Sequence, residues 1–288
     1  MRVMVTGCTG YVGGIIVQHF EQKHEVFGVS NNCESDSSHF VCDLRQPEEV
    51  MGLAKQIEPD LIIHAAGVKD IAFCEKNVDA AMAINCQATA NLVEAFGRKS
   101  RIIYISTDYV FDGQRGNYTE EDTPTPATQY GRTKLAGECE GLRLALKKII
   151  IVRTAAIYDL RANFLKFLLD KLSNGESVEC FSDVIYSPTY YEDFLAVLER
   201  VSLFPGGRKI YHACGESVSR YSFACQFAES FGFDHGLIKP ISGEGQRLFL
   251  FPNLSLNGQI TQKELCTTAH SHKQALLELV QQRLYETT

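Results

Sequence analysis

Val3-Met4-Val5-Thr6-Gly7-Cys8-Thr9-Gly10-Tyr11-Val12-Gly13-Gly14 is the stretch that decides the fold. A short apolar run of strand type feeds a glycine loop, and Ile15, Ile16, Val17 and Phe20 follow at helical spacing. Strand, glycine loop and helix together open a dinucleotide-binding domain. The glycines permit a tight turn and let backbone N–H groups approach a pyrophosphate on the positive end of the helix. Three glycines spaced Gly-x-x-Gly-x-x-Gly would alone be worth little more than an ordinary turn. The strand before and the helix after give them their meaning. Gly7, Thr9, Gly10, Tyr11, Val12 and Gly13 are the resulting cofactor-binding candidates. Cys8, inside the loop, reads as a small filler whose alkylation would block a cofactor.

Outward from this loop, apolar runs at 3–5, 26–29, 61–64, 102–105 and 149–152 alternate with helical segments near 12–23, 47–57, 78–98 and 130–147. Repeated strand–helix alternation predicts a Rossmann-type, doubly wound parallel α/β sheet covered on both faces. After about residue 158 the rhythm changes to helices at 163–172, 191–201, 221–231 and 272–285 between short strands. The expected organisation is a dinucleotide-binding domain over 1–158, to which the chain returns near 187–202, and a smaller α/β substrate domain over 159–288. Ligand then belongs at the carboxyl ends of the strands.

Two further stretches carry chemistry. Ser106-Thr107-Asp108-Tyr109 ends an apolar run, and Tyr130-Gly131-Arg132-Thr133-Lys134 opens a helix. Positions four apart share a helix face, so Tyr130 and Lys134 can point into one cavity beside the Thr107 hydroxyl. A phenol titrates near ~10, and a neighbouring cation favours phenolate and draws it toward neutrality. Lys134 would supply that cation and hold a ribose, while Thr107 donates to a developing alkoxide. A Tyr-x-x-x-Lys pair alone is more often an exposed helix face. Its place downstream of the glycine loop makes it a candidate site for ketone reduction or alcohol oxidation.

Composition narrows the function classes. The 288 residues are 45% hydrophobic, enough for one large domain or two smaller ones. No run of ~18 apolar residues exists and the first residues read as a strand, so a soluble cytoplasmic protein is expected. A formal charge of -7 with mixed signs argues against nucleic acid or membrane as partner. The 10 cysteines lack Cys-x-x-Cys pairs and zinc-ligand spacing, so no metal is expected. His270 and His272 read as surface residues, and Arg153 as structural.

On these residues the chain resembles the extended short-chain dehydrogenase/reductases, and within them the dTDP-4-dehydrorhamnose reductases. The motifs that carry the likeness are the glycine loop, Cys42-Asp43-Leu44, His64-Ala65-Ala66-Gly67, Cys74-Glu75-Lys76-Asn77, the run from Ile105 to Gly113, Tyr130 to Glu138, Arg153-Thr154, Ser187-Pro188-Thr189 and Asn253 to Asn257. The resemblance implies hydride transfer from NADP or NAD to a 4-keto-6-deoxy nucleotide sugar, with Thr107, Tyr130 and Lys134 catalytic and a place in dTDP-rhamnose and polysaccharide biosynthesis. Tyr130 and Lys134 also contact cofactor, as do Asp43, Leu44, Ala65, Ala66 and Gly67. Asp43 on its own terms equally suits a cap for the helix beginning at Pro47. Ser30 and Asn31 stand where NAD-preferring relatives place a carboxylate, and this tips the reading to NADP. Thr107-Asp108-Tyr109 departs from the Thr-Asp-Glu of dehydratases, leaving Asp108 and Tyr109, with Asn163 and Arg247, as substrate contacts. Ala72 replaces an expected aspartate, and Leu250-Phe251 replaces an expected Arg-Pro. Those departures keep two alternatives in play: a regulatory subunit resembling the beta subunit of methionine adenosyltransferase, and a nucleotide-sugar epimerase. The resemblance leaves room for a homodimer.

Overall fold

The structure is a computed structural model that describes residues 1–32, 34–145, 148–203, 207–245 and 251–286. Strands β1 (Arg2–Thr6), β2 (Glu25–Ser30), β3 (His39–Val41), β4 (Leu61–His64), β5 (Arg101–Thr107) and β6 (Ile149–Thr154) come first. With them run helices α1 (Tyr11–Phe20), α2 (Pro47–Gln56), α3 (Ile71–Lys76), α4 (Val78–Met82), α5 (Ala88–Phe96) and α6 (Gln129–Ala145). There follow β7 (Ile157–Tyr158), α7 (Asn163–Ser173), β8 (Val178–Phe181), β9 (Ile185–Tyr186), β10 (Thr189–Tyr190), α8 (Tyr191–Leu203) and β11 (Ile210–Ala213). The last elements are β12 (Val218–Ser219), α9 (Arg220–Ser230), β13 (Ile238–Ile241), α10 (Gln259–Leu265) and α11 (His272–Glu286).

One seven-stranded sheet has the order β3-β2-β1-β4-β5-β6-β11. The β1–β2, β1–β4, β2–β3 and β4–β5 pairs are parallel, with Val3 beside both Val26 and Leu61. Strand order reverses between β1 and β4, so the crevice above these two strands is the switch point where such folds bind ligands. All four residues of β4 are buried, as is every residue of β5 after Arg101. That is why both strands read as unbroken apolar runs rather than alternating ones. Helix α2 begins with Pro47, carries Glu48 and Glu49 in its first turn and Lys55 in its last, matching the helix dipole at both ends.

The helix expected as one piece over 78–98 contains a π-turn at Ala83–Gln87. The wider turn lets Asn85 face inward, where it is 1% exposed.

By compactness the chain divides into Met1–Phe111 with Pro124–Arg153 and Leu198–Tyr211, and Asp112–Thr123 with Thr154–Val197 and His212–Thr288. Relative to the division read from sequence, the break falls after Arg153, the returning segment is Leu198–Tyr211, and Asp112–Thr123 joins the second unit. Long-range backbone bonds are the reason. Tyr118 N–H donates to Ser255 O (2.9 Å), Asn257 N–H to Tyr118 O (2.7 Å) and Asn253 N–H to Gly113 O (2.8 Å).

The first unit's core gathers Met4, Val29, Ile62, Leu92, Tyr104 and Ile151. The second gathers Tyr158, Leu168, Phe223, Phe227 and Leu276. Burial of each such side chain contributes about 1.5–3 kcal/mol. Of the two histidines read as surface residues, His272 departs from that reading. His272 is 2% exposed, its Nε2 donates to Glu216 O (2.9 Å), and its ring lies against Tyr158 and Phe223. His270 pairs with Asp193 at 2.6 Å. Among the described residues, no helix is long and apolar enough to cross a membrane.

Candidate active site

The glycine loop is built by crowding. Gly7 has φ +70°, a conformation side chains resist, and a Cβ there would meet Ala66 Cα at 2.8 Å. A Cβ on Gly13 would run into Gly7 O, so α1 can pack this tightly against the turn only with glycine. The turn closes through Gly7 N–H to Val29 O (2.7 Å) and Gly10 N–H to Gly7 O (2.9 Å). Gly10 caps α1 without a side chain, and the first turn holds no acid. This is the chemistry an anionic pyrophosphate requires of a helix N-terminus, so the loop fits a dinucleotide. Thr9 and Gly10 are exposed, and Tyr11 and Val12 half-buried. Cys8 is buried, its sulfur filling the space beside Gly28, which suits the small-filler reading.

At the β2–β3 corner, Ser30 and Thr9 hydroxyls lie 2.9 Å apart, and both donate to Asn32 Oδ1, at 2.5 and 2.9 Å. Asn31 is exposed beside them. The network is neutral, and its hydroxyls can face a ribose or its 2′-phosphate. Asp43 does not cap α2, whose N-cap is Gln46. Instead Arg45 donates to both its oxygens (Nε at 2.9 Å, Nη2 at 2.6 Å), which holds the carboxyl below its usual range. Leu44 is buried, its carbonyl anchored by Asn91 Nδ2 at 2.9 Å.

At the β5–α6 corner the chemistry-bearing groups converge. Helix α6 starts where Thr128 Oγ1 accepts from Gly131 N–H (3.0 Å) and Glu75 Oε1 accepts from Gln129 N–H (2.7 Å). Gly131 lies so close to Tyr109 O that a Cβ would collide with it. This brings half-buried Tyr130 beside β5, its ring 5.6 Å from that of Tyr109. Burial raises the Tyr130 phenol above its ordinary pKa, and the hydrogen-bonded Thr107 hydroxyl works against that rise. Thr107 Oγ1 directs its proton to Asp108 Oδ1 (2.8 Å), and both residues are buried.

Lys134 is 6% exposed; its Nζ donates to Ile105 O (2.7 Å) and stands 4.0 Å from the Tyr104 ring centre. Burial pulls its pKa down to about 7. Its ammonium is thus directed at the end of β5 and the face of Tyr104, where the sequence expectation aims it at the Tyr130 phenol.

Behind this corner, Arg153 holds Glu138 by two bonds (Nε at 2.9 Å, Nη2 at 2.6 Å), and Ser106 Oγ donates to the same carboxylate (2.5 Å). Arg153 is indeed structural, with its guanidinium 5.2 Å from the centre of the Phe111 ring. Sequence reasoning quoted Glu75 and Glu138 in motifs without a role, and missed Asn85. Asn85 Oδ1 accepts from Val68 N–H (2.9 Å) while Nδ2 donates to Val68 O (3.0 Å) and Thr133 Oγ1 (3.0 Å). Its signal is an amide directly after the small and apolar run Ala80–Ile84. Half-buried Ala65 and Ala66, and exposed Gly67, lie on the segment that Asn85 pins.

Of the substrate candidates, Asp108 and Tyr109 belong to the first unit, while Asn163 is exposed at the start of α7 in the second. Arg247 and Leu250 lie outside the described residues. Ala72 is exposed in the first turn of α3, which Asp70 caps by accepting from Phe73 N–H (2.8 Å). Among the described residues no group of histidines, cysteines and acids is placed to hold a metal.

Residues 1–283 match the family described as the RmlD substrate binding domain. The chain is 30% identical over 253 residues to a protein named methionine adenosyltransferase 2 subunit beta of Danio rerio, covering 84% of this chain and 77% of that one. It is 32% identical over 254 residues to a probable low-salt glycan biosynthesis reductase, Agl14, of Haloferax volcanii, covering 83% of each. Among solved structures, a hypothetical dTDP-4-dehydrorhamnose reductase from Sulfolobus tokodaii is 33% identical with a TM-score of 0.82, covering 94% of this chain and 97% of that one. The Bacillus anthracis dTDP-4-dehydrorhamnose reductase in complex with NADP is 25% identical with a TM-score of 0.86, covering 98% of both.

Proposed function

The chain belongs to the family of the RmlD substrate binding domain, and from that premise we propose that it is an NAD(P)H-dependent reductase of a 4-keto-6-deoxy nucleotide sugar. The observation that supports the reading is the β5–α6 corner, where the Thr107 hydroxyl is hydrogen-bonded to Tyr130 at the carboxyl end of a buried parallel strand and Lys134 Nζ is held on the Ile105 carbonyl of the same strand. When bound, reduced nicotinamide supplies the hydride. Tyr130 gives its proton to the carbonyl oxygen of the substrate, and Thr107 donates to that oxygen as charge develops there, its single proton turning from Asp108 Oδ1 to do so. Lys134, buried and held on the Ile105 carbonyl, would hold a ribose hydroxyl of the cofactor. The glycine loop with Ser30, Asn31, Asp43 and Leu44 binds the dinucleotide, with Ala65, Ala66 and Gly67 as its wall. The neutral Ser30–Thr9–Asn32 network supports NADP over NAD, in line with the relative solved with NADP. Asp108 and Tyr109 contact the sugar nucleotide, and the enzyme works in the cytoplasm in polysaccharide biosynthesis.

Purified protein mixed with NADPH or NADH and dTDP-4-keto-6-deoxyglucose, with and without a 3,5-epimerase, should oxidise the cofactor. Cofactor binding without oxidation, together with capture of a methionine adenosyltransferase catalytic subunit, would replace this reading with a regulatory one. That second reading is favoured by the subunit beta relatives and by Ala72.

A further inference from the structure

The mechanism above leaves one buried titratable group without a task. His64, the last residue of β4, is 0% exposed, yet both ring nitrogens are engaged. Nδ1 lies 2.6 Å from Thr6 Oγ1, and Nε2 lies 3.1 Å from Thr89 Oγ1. Neighbouring groups set the direction of these bonds. Thr89 Oγ1 is 3.0 Å from the Asn85 carbonyl and is also hydrogen-bonded to the Tyr104 hydroxyl, whose own proton goes to the Asn85 or Lys134 carbonyl. The Thr89 proton is thus directed away from the ring, and Nε2 donates to Thr89. Thr6 Oγ1 accepts from Ala66 N–H (3.3 Å), which leaves its own proton for Nδ1. The assignment that satisfies every group is therefore a neutral imidazole protonated on Nε2. Burial, with Lys134 nearby, favours that neutral form and pulls the His64 pKa down to about 3.

Both arms of this relay end on the same short segment. One runs from His64 through Thr6 to the Ala66 N–H. The other runs through Thr89 to Asn85, whose amide grips the N–H and C=O of Val68. Between them is Gly67, where a Cβ would lie 2.9 Å from Asn85 Oδ1 and 3.9 Å from Lys134 Nζ. We infer that His64 is a positioning residue: through Thr6 and through Thr89–Asn85 it fixes Ala65–Val68 against Lys134 and so shapes the wall that receives the nicotinamide cofactor. The role rests on the cofactor reading proposed above.

Imidazole ¹⁵N shifts of the whole protein at neutral pH, with the His64 signals identified by their loss in His64→Gln, test the relay. The expected result is a protonated Nε2 and a bare Nδ1, and the opposite tautomer overturns it. Calorimetric NADPH binding tests the role, using His64→Met and its isostere His64→Gln, which retains a donor near Nε2. Loss of one buried hydrogen bond should weaken NADPH binding about tenfold in the methionine variant, with most of it recovered by glutamine. Equal affinities for both variants and the unchanged protein overturn positioning even if both melt lower. An unchanged protein that binds neither NADPH nor NADH instead overturns the cofactor reading itself.

Discussion

At the β5–α6 corner Lys134 is tied to a backbone carbonyl and Glu138 to a guanidinium, both out of water, whereas at the β2–β3 corner Ser30, Thr9 and Asn32 hold one another at the solvent boundary. The two corners sit in the same unit and on the same sheet. Contacts at the first span tens of residues in sequence, as from Lys134 to Ile105 or Glu75 to Gln129. At the second, local side-chain bonds, as between Arg45 and Asp43 or Ser30 and Asn32, stand beside the two that Thr9 makes to the end of β2. A group that moves a proton needs a fixed position and a dry setting, because both sharpen its electrostatics. A group that chooses between two cofactors needs only the right charge in the right place. Changes at the first corner should therefore cost stability or turnover, and changes at the second should redirect preference.

The largest effect is expected from Glu138→Leu. It leaves Arg153 charged and buried without its partner, which typically costs about 3–5 kcal/mol, read as a lowered denaturation midpoint. A melting curve like that of the unchanged protein would erase the contrast. Next, Thr107→Val should keep the fold and NADPH binding while lowering turnover by about 10²–10³, the usual loss for one donor to a developing oxyanion. Lys134 sharpens the comparison through pH. Its pKa is lowered to about 7 in the fold and returns to about 10.4 on unfolding. Between these values the unfolded chain binds the extra proton, so this residue makes stability rise with pH across the window. Lys134→Met should flatten that slope in denaturation measured from neutral to alkaline pH. Smallest is Ser30→Asp. A carboxylate there repels a 2′-phosphate and grips a ribose diol, so NADPH affinity should fall about tenfold while NADH affinity holds or rises, as titration would show.

What was legible in the sequence was local. The glycine loop announced itself because its crowding involves neighbours in the chain, and Tyr130 with Lys134 because four residues of helix suffice to align them. Sequence could not show that Asp112–Thr123 belongs with the second unit, since that grouping depends on Tyr118 meeting Ser255 and Asn257. Nor could it show the π-turn at Asn85, which tertiary packing against α6 imposes on an otherwise ordinary helical run. Asp43 was legible as important but ambiguous in role, and an arginine two residues away decides its present partner. The burial of His272 was misread for a similar reason: its polar character is satisfied by a carbonyl 56 residues distant.

The central claim is that Tyr130 donates the proton at a corner whose architecture does not depend on its hydroxyl. Rapid-mixing measurement of cofactor oxidation in Tyr130→Phe, with NADPH affinity determined on the same samples, tests it most directly. The account predicts unchanged affinity and a rate lowered by about 10²–10⁴. A variant that binds NADPH normally and reduces substrate at nearly the original rate would contradict it.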